Sequence, residues 1–159
     1  MILRPIQSAD NPAMAKIIRT VMTEYGAVGP GYSINDPEVD TMYESYAGDR
    51  AVFYVVEEAD GTIIGGAGIS QLEGGDPDVC ELKKMYYLPV ARGRGLGAKM
   101  LQKCIDAARQ MGFRICYLET LERMPEAQRL YRKFGFEQLD GPMGNTGHGS
   151  CDRYYALTL

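Results

Sequence analysis

The sequence predicts a mixed α/β (α+β) fold on a mostly antiparallel central sheet with helices against it, and three observations carry that prediction. The chain has 159 residues, 45% hydrophobic and 24% charged, which suits one globular domain spanning residues 1–159 with a real core. Strand-like runs at 51–57, 62–71 and 79–88 are joined only by Asp60-Gly61 and Gly74-Gly75-Asp76-Pro77. Connections this short admit an antiparallel meander and no crossover. Beyond the third run, a glycine-rich turn leads into a segment with helical periodicity, so helices must pack on the meander.

In chain order, Ile2–Ile6 reads as a short strand. Asn11-Pro12 then opens a helix, with a capping side chain followed by proline at the first position. Met14, Ile17, Ile18, Val21, Met22 and Tyr25 recur at helical spacing, and Gly26–Tyr32 is a loop. Asp36-Pro37 repeats the capping signal before a shorter helix carrying Val39, Met42, Tyr43 and Tyr46. In the run 79–88, strict alternation places Glu81, Lys83, Met85 and Tyr87 on one face and Leu82, Lys84, Tyr86 and Leu88 on the other. Gly65, Gly66 and Gly68 in the preceding run point to a bulge or a close approach to the backbone. A helix follows with Leu96, Met100, Leu101, Cys104, Ile105 and Ala108 on one side, ended by Gly112. Ile115–Thr120 is a strand, and Pro125 opens a helix bearing Ala127, Leu130, Tyr131 and Phe134, closed by Gly135. The last strands are 136–139 and 153–159, around a loop rich in glycine.

Seventeen basic residues against 21 acidic ones, with no basic stripe, disfavour a nucleic-acid partner. No apolar run approaches the roughly 18 residues of a membrane span, and the first residues lack a signal-peptide core, so a cytoplasmic protein is expected. Four dispersed cysteines and a single histidine offer no zinc spacing, and no metal is expected. Cys80, Cys104 and Cys116 sit in apolar segments and read as buried; Cys151 lies in a loop and stays open as a functional thiol.

Strand, glycine-rich turn and helix together aim unpaired backbone N–H groups and a positive helix end at one point, which binds phosphate. Gly93, Gly95 and Gly97 keep side chains out of the way, and Arg92 and Arg94 add charge. Gly93, Gly95 and Ala98 also satisfy a G-x-G-x-x-A dinucleotide pattern, with Glu119 about 20 residues on, so a Rossmann-like domain is the alternative. The antiparallel meander before the motif counts against it. There is no P-loop sequence.

The run Glu81–Leu101, containing Arg92, Gly95 and Gly97 in an [RQ]-x-x-G-x-[GA] pattern, and the downstream Leu130-Tyr131…Gly135-Phe136 resemble the GCN5-related N-acetyltransferases (GNAT) over nearly the whole chain. The resemblance implies a splayed GNAT sheet and acetyl-CoA as co-substrate. It implies that Gly93, Arg94, Gly95, Leu96, Gly97 and Ala98, with Arg92, cradle the pyrophosphate, while the backbone of Met85, Tyr86 and Tyr87 pairs with the pantetheine arm and polarises the thioester. Tyr131, by the same resemblance, protonates the departing thiolate. Met124 stands where family members often place an asparagine that contacts the coenzyme. Family members are often homodimers. A catalytically silent acyl-CoA-binding module is the non-enzymatic alternative.

Direct transfer to an amine needs a base, because an amine of pKa near 10 is mostly charged at neutral pH. Glu81 and Glu119 are the candidates, and Glu81 is favoured because it shares strand parity with Tyr87. The acceptor is a small-molecule or peptide amine, its pocket shaped by Tyr25, Tyr32, Tyr43 and Tyr46 and capped by the loop 141–152. That loop carries His148, Cys151 and Asp152, a set from which covalent chemistry at Cys151 is conceivable.

Overall fold

The computed structural model describes residues 1–159. Seven strands form one sheet in the order β1-β2-β3-β4-β5-β7-β6: β1 (Ile2–Pro5), β2 (Ala51–Glu57), β3 (Ile63–Gln71), β4 (Val79–Tyr87), β5 (Ile115–Thr120), β6 (Glu137–Leu139) and β7 (Arg153–Thr158). Every neighbouring pair is antiparallel except β4 and β5. This departs from the parallel doubly wound sheet that a dinucleotide-binding reading requires.

Helix α1 (Asn11–Glu24) lies on one face, burying Met14, Ile17, Ile18, Val21 and Met22 against Phe53 and Val55 of β2. Helices α3 (Leu96–Gln110) and α4 (Pro125–Lys133) cover the other face, where Leu96, Met100, Leu101, Cys104 and Ile105 meet Ala67, Ile69 and Leu82. Truncating a fully buried leucine such as Leu101 to alanine costs about 2–5 kcal/mol, since the lost transfer free energy is joined by a cavity. No helix is long and apolar enough to cross a membrane. Cys80, Cys104 and Cys116 are buried, as their apolar settings predict. The helix expected after Asp36-Pro37 is instead a 3-10 turn, Pro37–Asp40, and one helical turn, α2 (Met42–Ser45). Thr41 separates them with φ −132° and ψ 44°, outside the helical region.

Two irregularities position the site. β4 and β5 pair only at Val79↔Ile115, Cys80↔Cys116 and Glu81↔Tyr117, after which both strands continue apart and open a wedge. β4 also bulges: its register on β3 shifts between Gly66 and Gly68, and Lys84 takes φ +55°, a left-handed conformation rare for a side chain of that size. The bulge overturns the alternation expected from sequence. Lys83 and Lys84 both reach Glu38 on the α1 side of the sheet. Tyr86 and Leu88 then pack with the α1 core, whereas Met85 and Tyr87 join Cys80 and Leu82 on the α3 side. Glu81 therefore shares a face with Tyr86 and not with Tyr87.

Candidate functional site

The wedge between β4 and β5 joins two clefts that share Tyr25, Met85, Tyr86, Met124 and Tyr131. On the α3 side the lining includes Met85, Tyr86, Tyr87, Arg92, Gly93, Gly95, Leu96, Gly97 and Ala98, with Pro125, Ala127 and Leu130 of α4 opposite. Gly93 and Gly95 adopt φ +72° and +73° with open space where a Cβ would stand, so glycine is required there by backbone conformation rather than by crowding. Gly97 differs: a Cβ would lie 3.2 Å from Leu130 Cδ2, and the missing side chain lets α3 approach α4. Past Glu81, β4 has no partner on its β5 side, so backbone groups along that edge face the cleft.

The arginines do something other than what their positions suggest. Arg92 donates from Nε and Nη2 to the Tyr87 carbonyl at 3.2 and 3.0 Å and pairs with Glu24 at 2.6 Å. It braces the end of β4 onto α1. Arg94 turns outward to Glu58 and is absent from the lining. Arg92 still lines the cleft, and the turn and the α3 N-terminus add backbone N–H groups of the kind that receive an anion.

The α1-side cleft is lined by Met22, Ala27, Tyr32, Ser33, Glu81, Lys83, Lys84, Glu119, Leu121, His148 and Cys151, among others. Tyr25 and Tyr32 line it as expected; Tyr43 is exposed and Tyr46 is buried against Phe53, and neither lines the cleft. One carboxyl or imidazole atom from each of Glu81, Glu119 and His148 falls within 4.8 Å of the others.

The two glutamates differ sharply in environment. Glu119 accepts hydrogen bonds from the Tyr117 hydroxyl at 2.8 Å and from Thr146 Oγ1, and faces His148 Nδ1 at 3.5 Å. Burial alone would push it up, but these contacts outweigh burial and hold it below the ordinary carboxylate range. Glu81 is 5% exposed and no group in the protein hydrogen-bonds its carboxyl. Burial, aided by the negative charge of Glu119 and opposed by Lys83, pushes it up to about 7.

His148 is 8% exposed and donates from Nε2 to both Asp36 oxygens at 3.0 and 2.8 Å. Burial would lower it, yet the bonds to Asp36 and Glu119 prevail and raise it to about 9, so it is a cation at neutral pH. Sequence reasoning left His148 without a role, because its partners are 112 and 29 positions away and no local pattern links them. Burial, then the surrounding carboxylates, push the Cys151 thiol up to about 12. It is not a thiolate at neutral pH, and His148, already committed to carboxylates, is no base for it. Tyr131 is buried, lines both clefts, and is raised by burial, so its hydroxyl keeps its proton.

Comparison with known proteins places this arrangement in context. Residues 15–136 match the Acetyltransferase (GNAT) family. The chain is 43% identical over 152 residues to YjgM of Escherichia coli K12, an uncharacterised N-acetyltransferase, covering 95% of this chain and 90% of that one. In fold it superposes on a GNAT-family acetyltransferase of Staphylococcus aureus Mu50 with a TM-score of 0.85 at 20% identity, covering 99% and 98% of the two chains. It also superposes on yncA of Salmonella typhimurium, solved with acetyl-CoA, with a TM-score of 0.75 at 22% identity, covering 99% and 93%.

Proposed function

Since the chain belongs to the GNAT family of acetyltransferases, we propose that it transfers acetyl from acetyl-CoA directly to an amine across the β4/β5 wedge, with Glu81 as base. The observation that carries this reading is the state of Glu81: buried, without a hydrogen-bond partner, raised to about 7, and lining the α1-side cleft at the last β4/β5 pair before the strands part. Acetyl-CoA bound to the Salmonella protein of the same fold supports the coenzyme assignment. In this reading the pyrophosphate sits at Gly93–Ala98 and the pantetheine arm runs along the open edge of β4.

The acceptor enters from the α1 side and gives a proton to the Glu81 carboxylate. Moving a proton from an amine of pKa near 10 to an ordinary carboxyl near 4 costs about 8 kcal/mol, and raising the carboxyl to about 7 halves that cost. The amine nitrogen then attacks the thioester carbonyl, the C–N bond forms, and the C–S bond breaks. Tyr131 gives its phenolic proton to the departing thiolate and is restored by the second proton, which the nitrogen loses as the amide forms, while Glu81 returns the first to solvent. Paired carboxyls whose environments push them apart are the usual sign of divided roles: Glu119, held ionised, fixes His148 and sustains the raised state of Glu81.

The test is coenzyme A release with acetyl-CoA and a panel of amines, followed against pH. A rise through pH about 7 that disappears in Glu81→Gln supports the reading, and binding of acetyl-CoA without release for any amine overturns it in favour of a silent binding module.

A further inference from the structure

The charged groups around the α1-side cleft are unevenly matched. Asp36 is shared by Lys84 Nζ at 2.7 Å and His148 Nε2 at 2.8 Å. Glu38 is shared by Lys84 at 2.8 Å and Lys83 at 3.3 Å, and Glu119 faces His148. Three cations thus serve three carboxylates, and Glu81 is the fourth carboxylate, within the field of Lys83 and His148 but ion-paired with neither. One positive charge completes the set. The remaining walls are largely apolar: Met22, Ala27, Leu121 and Met124, with the ring of Tyr32.

Two segments that each contribute lining residues to this cleft are also tied together. Segments 29–36 and 141–152 are joined by Ser150 Oγ donating to the Pro30 carbonyl at 2.7 Å, by Ser150 N donating to the Gly31 carbonyl at 3.1 Å, and by the His148–Asp36 bond. The fit is close enough that a Cβ on Gly31 would lie 2.5 Å from Ser150 Oγ.

We propose that this cleft, taken as the acceptor side of the transfer site above, is specific for compact amines that bring one cationic nitrogen and no anionic group. Glu81 receives the ammonium and the apolar walls receive the body. A polyamine would set further ammonium groups beside carboxylates already filled by Lys83, Lys84 and His148, leaving charge buried without a partner. A free amino acid would carry its carboxylate among cations that are already paired. Arg123, which has no carboxylate partner, lies exposed outside the lining, bonded to the Gly26 carbonyl and the Tyr32 hydroxyl at 3.2 and 3.0 Å. An extended peptide needs a groove between segments that here are tied together.

The experiment compares kcat/KM for simple monoamines (phenethylamine, tyramine, isoamylamine and cyclohexylmethylamine) with spermidine, with free amino acids, and with tetrapeptides bearing a free N-terminus. At least one monoamine exceeds every member of the other three classes by about ten-fold. Equal or better use of spermidine, an amino acid or a peptide, with release still dependent on Glu81, overturns this specificity and leaves the transfer mechanism standing. Release with no amine of any class overturns both. In Lys83→Met, which withdraws one cation from Glu38, the ratio of spermidine to monoamine kcat/KM rises several-fold; an unchanged ratio counts against charge matching as the cause.

Discussion

The α3-side cleft, proposed above to hold the coenzyme, is lined mainly by one nearly continuous stretch, Met85 to Ala98, with α4 opposite and Val21 and Tyr25 of α1 beside it, whereas the α1-side cleft, proposed to take the acceptor, is gathered from segments that lie far apart in the chain. The first is built of backbone: glycines at positive φ, the N–H groups of a helix end, and the free edge of a strand. The second is built of side chains in a buried network of ion pairs. Backbone recognition suits a ligand that is the same in every reaction, and it constrains residue type only where the conformation demands it. Side-chain recognition can be rewritten one residue at a time, which suits a variable acceptor.

Substitutions that act on one half and spare the other sharpen that contrast. Glu81→Gln removes the proposed base with a side chain of the same shape, and is expected to lower kcat by about 10³-fold with little change in acetyl-CoA affinity, measured by titration calorimetry. A parallel loss of coenzyme binding would erase the division. Tyr131 stands at the junction, and Tyr131→Phe is expected to lower kcat by about 10²-fold, with the loss greatest for the chemical step in single-turnover experiments. Gly95→Ala forces a side chain into a left-handed conformation at a cost of about 1–2 kcal/mol, and is expected to weaken acetyl-CoA roughly ten-fold while the acceptor KM stays constant.

A subtler change is expected from His148→Gln. The imidazolium favours the ionised form of Glu81, so its removal raises that carboxyl further and moves the acid limb of the kcat/KM profile from about pH 7 to higher pH. A merely structural loss would lower the plateau without displacing the limb. The smallest effect belongs to Cys151→Ala: with its thiol raised to about 12, it should change kcat less than two-fold, and trapping an acetyl group on Cys151 by mass spectrometry would contradict direct transfer.

Helices α1, α3 and α4, all seven strands and the glycine turn are readable from periodicity and from proline and glycine punctuation, because each depends on neighbours within a few residues. Met85–Tyr87 and the glycines of the turn, which line the α3-side cleft, lie within that same local stretch. The face of Glu81 is not, since the bulge at Lys84 inverts the alternation, and a bulge is set by register against β3 rather than by β4 alone. Nor is the turning of Arg92 to Tyr87 and Glu24, or of Arg94 to Glu58, because both pairings cross the fold.

By itself, then, the sequence determined the order of elements, the apolar face that each long helix buries, and the glycine turn at Gly93–Ala98, all of which follow from local conformational preference and the burial of apolar periodicity. Tertiary structure alone decided which of two glutamates is free. Ion pairing is selective by distance in space, and only the folded chain brings His148 onto Asp36 and Glu119 while leaving Glu81 buried without a partner.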